Sequence, residues 1–152
     1  MQEEIHLTVA AVIERGGRFL CVEERVDGAL RVNQPAGHLE PGESLTEAVV
    51  RETLEETAYA FEPVALLGIY RWRHPQRRIT YVRVAFVGRV GATPTERALD
   101  EGIERALWLT AEEVRARRAE HRSPLVMRCV DDHIAGHRFA LTLLADVTED
   151  HR

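Results

Sequence analysis

"GHLEPGESLTEAVVRETLEETA", Gly37 to Ala58, sets six carboxylates (Glu40, Glu43, Glu47, Glu52, Glu55 and Glu56) against one arginine, Arg51. Ser44-Leu45-Thr46-Glu47 has the form of a capping box, in which serine and glutamate satisfy the free backbone N–H groups of a helix start. The pattern predicts a helix from Ser44 to about Thr57. On a wheel at ~100° per residue, Leu45, Ala48 and Val49 cluster on one side, and Glu52 and Glu56 fall in the same sector. Glu55 lies at its edge, while Val50 and Leu54 point the other way. The carboxylates therefore continue an apolar stripe instead of forming a separate polar face.

Glu52 pairs at i, i+4 with Glu56 and at i, i+3 with Glu55, spacings at which like charges repel on a helix. They also lie toward the C-terminal end, where the helix dipole disfavours anions. A solvated acidic face is one reading of this crowding. The other is a divalent cation, since carboxylate oxygens with retained waters are what Mg²⁺ or Mn²⁺ prefers. The turn just upstream, "QPAGHLEPGE", contains glycines that permit close backbone approach and exposure of a carbonyl oxygen.

Outward from this helix, the 152 residues predict one domain spanning residues 1–152. Hydrophobic residues make up 45%, enough for a packed core. A net charge of −5 argues against a nonspecific duplex-DNA binder, which needs a basic face. Cys21 and Cys129 sit in apolar runs without a CxxC partner, so the expectation is two reduced, buried thiols in a cytoplasmic protein. "MQEEIHLTVAAVIERGG" lacks the basic start and long apolar run of a secretory signal. No stretch approaches the ~18 apolar residues of a membrane span.

Ile5–Ile13 and "RFLCVEER" read as strands joined at Gly16–Gly17, suggesting an opening hairpin. Leu30 to Gln34 predicts a short strand. Val64–Arg73 and Ile79–Val90 predict long strands joined by "HPQRR", with a polar loop over residues 91–102 and a strand at "ERALWL". Thr110–Glu113 repeats the capping-box form and predicts a helix to about Ala119. Ser123-Pro124 opens a third helix ending near Gly136. "RFALTLLADV" fits either a last strand or a helix extension. The order predicts an α/β (or α+β) sandwich with helices on the faces of a mixed sheet.

At this point the residues resemble a known family. Gly37, Glu43, Arg51, Glu52, Glu55 and Glu56 stand as G-x5-E-x7-R-E-x-x-E-E, which is similar to the Nudix box, a pattern of six fixed positions. The resemblance implies the Nudix α/β/α sandwich around a central mixed sheet. "HLTVAAVI", "FLCVEE", "NQPAGHLE" and "RSPLV" extend it over most of the chain and resemble the NudJ-type phosphatase branch. That branch implies phosphate release from nucleoside tri- and diphosphates, hydroxymethylpyrimidine pyrophosphate or thiamine pyrophosphate. Cleavage of RNA ends or of nucleoside diphosphates linked to another group is the alternative, as is a non-catalytic ligand sensor.

The family pattern implies that Glu52, Glu55 and Glu56 hold the divalent metal, with the Gly37 carbonyl, and that Glu43 braces Arg51. A helix glutamate, or a distant acid such as Glu101 or Glu104, would orient the attacking water. Arg71, Trp72, Arg73, Tyr81 and Arg83 are candidates for substrate binding, arginine gripping phosphate and aromatics stacking on a base. The same residues also read as a solvated strand face with core aromatics. His6, Arg18 and Arg31 are further candidates from their position near the opening of the sheet. The sequence departs from the family at Thr53, Ala58, Tyr59 and Ala36. Of these, Ala58 stands where a glycine normally closes the helix, which puts the helix end in question.

Overall fold

The computed structural model describes residues 2–149. Eight strands and three α-helices follow in the order β1 (Glu4–Val12), β2 (Glu14–Arg15), β3 (Arg18–Val26), β4 (Ala29–Asn33), β5 (Ala36–His38), α1 (Leu45–Thr57), β6 (Phe61–Arg73), β7 (Ile79–Val90), β8 (Ile103–Thr110), α2 (Ala111–Ala116) and α3 (Leu125–Ile134). Two short 3₁₀ turns occupy Arg118–Glu120 and Leu141–Leu143.

The strands form two sheets instead of one. The first, ordered β5-β1-β7-β6, is mixed: β1 runs parallel to β7 and antiparallel to β5. In the second, β3 pairs antiparallel with β2, β4 and β8. This corrects the expected opening hairpin. Gly16 and Gly17 do turn the chain, at φ 57° and 78°, but the turn pairs only Glu14–Arg15 with Arg18–Phe19. After Ile13 the chain leaves the first sheet, so β1 and β3 lie in different sheets. Three other expectations shift as well. β6 begins at Phe61, and the helix expected to reach Ala119 ends at Ala116 before a 3₁₀ turn. The segment after Gly136 is neither strand nor helix extension. Phe139 makes one bridge to Leu66, and a 3₁₀ turn follows.

Alternation along the first sheet gives its two faces different partners. Val9, Ala11, Val84 and Phe86 pack with Ala48 and Val49 of α1. Val12, Ala85 and Val87 pack with Val126, Met127 and Val130 of α3. Val49 and Val126 are fully buried, each contributing roughly 1.5–3 kcal/mol. Because α1 rests on one face and α3 on the other, the sheet edge at β5 stands between the acidic helix and the α3 side. Among the described residues no helix is long and apolar enough to cross a membrane.

Candidate active site

Ser44 Oγ accepts from Glu47 N at 3.1 Å and Ser44 N donates to Glu47 Oε1 at 3.2 Å, so the capping box fixes the start of α1. At the other end Ala58 takes the left-handed conformation, φ 64°, and its N–H donates to Leu54 O. The helix thus closes as a glycine would close it, with an alanine carrying the strain. The Ala58 carbonyl is held by both the backbone N–H and the hydroxyl of Thr95, each at 2.8 Å.

The carboxylates on this helix are not equivalent. Arg51 grips Glu43 with two bonds, Nε to Oε2 at 2.9 Å and Nη2 to Oε1 at 2.6 Å. Its Nη1 donates to Glu52 Oε1 at 2.8 Å and to Glu55 Oε2 at 3.2 Å, and Nη2 donates to the His38 carbonyl at 3.1 Å. The pair with Glu43 holds that carboxyl below its ordinary range and the guanidinium above its own. Glu52 is pushed the other way, because burial outweighs its bond to Arg51. Glu56 is buried and accepts the Ala36 N–H at 2.9 Å. Burial pushes its pKa up to about 9, with the charges of Glu24, Glu52 and Asp100 adding to the effect.

Gly37 lies opposite Val9, the residue whose side chain faces α1. The Glu52 carboxylate fills the space a side chain would take there: a Cβ built on Gly37 would lie 2.5 Å from Glu52 Oε2 and closer still to its Cδ and Oε1. Among the described residues no three His, Cys, Asp or Glu side chains converge as a formed metal-binding group. Arg51 stands between the carboxylates. The donor set nevertheless fits a hard divalent ion, because the oxygens of Glu52 lie against the bare backbone of Gly37 and Glu56 Oε1 lies beside them on the Ala36 N–H, all of them hard oxygen donors.

Glu52 and Glu56 line one end of a cleft of about 1010 Å³, and Gly37 and Ala36 border it. Its floor follows strand alternation. Thr8 opposes Arg83 and His38, and one row outward His6 and Trp72 both oppose Tyr81. Trp72 and Tyr81 are stacked at 5.6 Å, and His6 meets Tyr81 edge-on at 5.4 Å. Trp72, Tyr81 and Arg83 therefore reach the cleft. Arg71 and Arg73 do not. They point to the opposite face because neighbouring strand residues alternate, and Arg73 pairs with Glu3 at 2.7 Å. Arg31 lines the cleft and donates to the Ala119 carbonyl, whereas Arg18 is exposed and opposes Thr110.

Neither loop acid expected from the sequence lines the cleft. Glu104 pairs with Arg25 at 2.8 Å and borders a smaller cavity away from the cleft, and Glu101 is exposed in the turn before β8. Asp100, which the sequence reading passed over, is the loop acid whose charge reaches both Glu52 and Glu56, and its N–H donates to Glu55 O at 3.0 Å. Asn33 and Gln34 were missed as well. Both are buried polar residues, and Asn33 lines the cleft. Their signal in the sequence was an amide pair ending an apolar strand just ahead of the Pro-Ala-Gly turn.

The NUDIX domain family matches residues 4–129. The chain is 35% identical over 141 residues to "Phosphatase NudJ" of Escherichia coli K12, covering 93% of this chain and 91% of that protein. The same name and the same figures hold for the Shigella sonnei protein. In structure it is similar to a NUDIX hydrolase from Nitrosomonas europaea, with a TM-score of 0.92 and 48% identity over 95% of this chain and 98% of that one. A MutT NUDIX hydrolase from Burkholderia pseudomallei shares the fold at a TM-score of 0.71 and 20% identity, covering 86% of this chain and 98% of that one.

Proposed function

The chain belongs to the NUDIX family, as a hydrolase of acid anhydrides with a small-molecule pyrophosphate as substrate, and from that premise we propose that it is a divalent-metal-dependent phosphatase. Its substrates are nucleoside tri- and diphosphates or similar pyrophosphate monoesters, from which it releases inorganic phosphate. The observation that carries this reading is the gathering of Glu52 against the bare backbone of Gly37 and of Glu56 on the Ala36 N–H, at the end of a cleft floored by Arg83. The likeness to "Phosphatase NudJ" over 93% of the chain supports phosphate as the product.

Glu52, Glu55 and Glu56, with the Gly37 carbonyl, would hold the ion, Mg²⁺ or Mn²⁺. Bound there, it supplies Lewis-acid chemistry, neutralising phosphate charge and acidifying a water. The chain's own residues do the rest. Arg51 binds Glu43, Glu52 and Glu55 together, which sets the helix carboxylates and ties the 39–43 loop to α1. Glu56, or Asp100 in the facing loop, takes the proton of the attacking water. Asp100 replaces Glu101 and Glu104 in this role on grounds of position. The reaction is direct hydrolysis, without a covalent enzyme intermediate. Trp72 and Tyr81 offer a surface on which the organic part of the substrate stacks.

The test is a product screen in Mg²⁺ with nucleoside triphosphates, diphosphates, nucleoside diphosphate sugars and thiamine pyrophosphate. Orthophosphate from the triphosphates is expected. Pyrophosphate plus monophosphate would overturn the phosphatase reading and leave the hydrolase assignment standing.

A further inference from the structure

Arg83 is the most deeply buried cation of the cleft, with 5% of its surface exposed. Its Nη1 donates to Gln34 Oε1 at 2.9 Å and lies 3.8 Å from Cys129 Sγ, and its Nη2 donates to Asn33 Oδ1 at 3.0 Å. Every one of these acceptors is uncharged. Among the described residues no carboxylate lies within ion-pairing distance of it, although the chain pairs most of its other partly buried arginines with glutamate or aspartate. A guanidinium removed from water without a counter-ion is costly, and a brace between strands does not need one.

Asn33 sharpens the point. Its Oδ1 accepts from both Arg83 Nη2 and the Gln34 N–H at 2.9 Å, which fixes the orientation of its amide. The Asn33 NH₂ makes no hydrogen bond to any described residue, and Asn33 lines the cleft. Arg83 and Asn33 therefore present donors only. A nucleobase edge carries donors as well as acceptors, whereas a phosphoryl group carries acceptors alone.

Depth orders the substrate. The Arg83 row of the sheet is the inner one, and Trp72 and Tyr81 lie ~7 Å farther out along the strands. With 5% of its surface exposed, Arg83 offers contact to a small end group, and the bulkier organic part is left beside the aromatic pair. Gly37 lies two strands away, ~10 Å across the sheet, a span that the arginine side chain and one diphosphate cover together.

We propose that Arg83 and Asn33 form an end-on seat for the terminal phosphoryl group of the substrate. The enzyme then selects pyrophosphate monoesters with a free phosphate end over diphosphates esterified on both sides. The inference rests on the phosphatase reading above for the identity of the bound end group.

The decisive variant is Asn33→Asp, because the two possible roles of Arg83 predict opposite results. If Arg83 only braces the fold, the introduced carboxylate gives it the ion pair it lacks and leaves ligand binding unchanged. If it seats a phosphoryl group, that carboxylate occupies and repels the anion. Orthophosphate binding to the metal-free protein, followed by calorimetry, should fall about ten- to a hundredfold in Asn33→Asp and in Arg83→Gln, and stay near wild type in Arg122→Ala, an exposed arginine of the same cleft that already faces Glu24 at 3.8 Å. The ratio of kcat/KM for a nucleoside triphosphate to that for a nucleoside diphosphate sugar should fall by a similar factor in Asn33→Asp, while its melting temperature is kept or raised. Unchanged orthophosphate affinity and unchanged ratio in Asn33→Asp would overturn the seat, as would loss of binding in Arg122→Ala alone. Wild-type protein that releases no orthophosphate from any monoester would overturn the phosphatase reading instead. The calorimetric comparison would still decide the seat in that case.

Discussion

The carboxylate of Glu52 occupies the place where Gly37 lacks a side chain: a Cβ there would lie 2.5 Å from Glu52 Oε2. The glycine is required by a neighbour on α1, and its own φ is not in the left-handed region. Gly37→Ala should displace Glu52 and reduce metal-dependent turnover at least about tenfold. The atom that must move is the end of a flexible side chain, so stability should change by less than about 1 kcal/mol. Paired kinetics and thermal melts check this.

Arg51 holds three carboxylates that would otherwise repel one another. Arg51→Met should destabilise the metal-free protein by about 1–3 kcal/mol, since these side chains are only partly exposed. Added Mg²⁺ should recover part of that loss by taking over the neutralisation. Melting curves with and without Mg²⁺ measure both effects.

Glu56 gives the metal-free protein a distinct pH dependence. Its pKa is raised by burial from an ordinary 4.5 to about 9 in the folded state. Between those values the folded chain keeps a proton that the unfolded chain gives up. The folded state binds more protons, so this group's contribution makes stability fall as pH rises through that window. Glu56→Gln should flatten this slope, and a divalent ion should restore stability to the wild type at the upper end. Denaturant titrations at a series of pH values test the sign.

Ala58 closes α1 at φ 64°, a conformation that disfavours any residue with a Cβ. Ala58→Gly should stabilise the protein by about 0.5–1 kcal/mol, which for a chain of this size is a rise in Tm of a few degrees. Activity should be unaffected, because the carboxylates of α1 keep their positions.

The sequence made α1 legible, with its capping box and the sector shared by Val49, Glu52 and Glu56, because helix periodicity and caps are local signals. It made the long strands legible for the same reason. It did not reveal that β1 and β3 part into different sheets, since pairing partners are set by contacts far apart in the chain. Trp72 could not be separated from Arg71 and Arg73 until alternation was tied to a known face of the sheet. Asp100, Asn33 and Arg83 meet the glutamate end or the cleft only through the fold. The single-residue offset from Glu101 to Asp100 shows how far composition alone carries a loop.

The rate of orthophosphate release from a nucleoside triphosphate, measured against Mg²⁺ concentration for wild type and Glu56→Gln, decides whether the Glu56 carboxylate serves a metal-dependent hydrolysis. The wild type should show a saturable dependence on Mg²⁺, and the variant should lose at least about a hundredfold with its fold intact. A near-normal, Mg²⁺-dependent rate in Glu56→Gln would contradict that role.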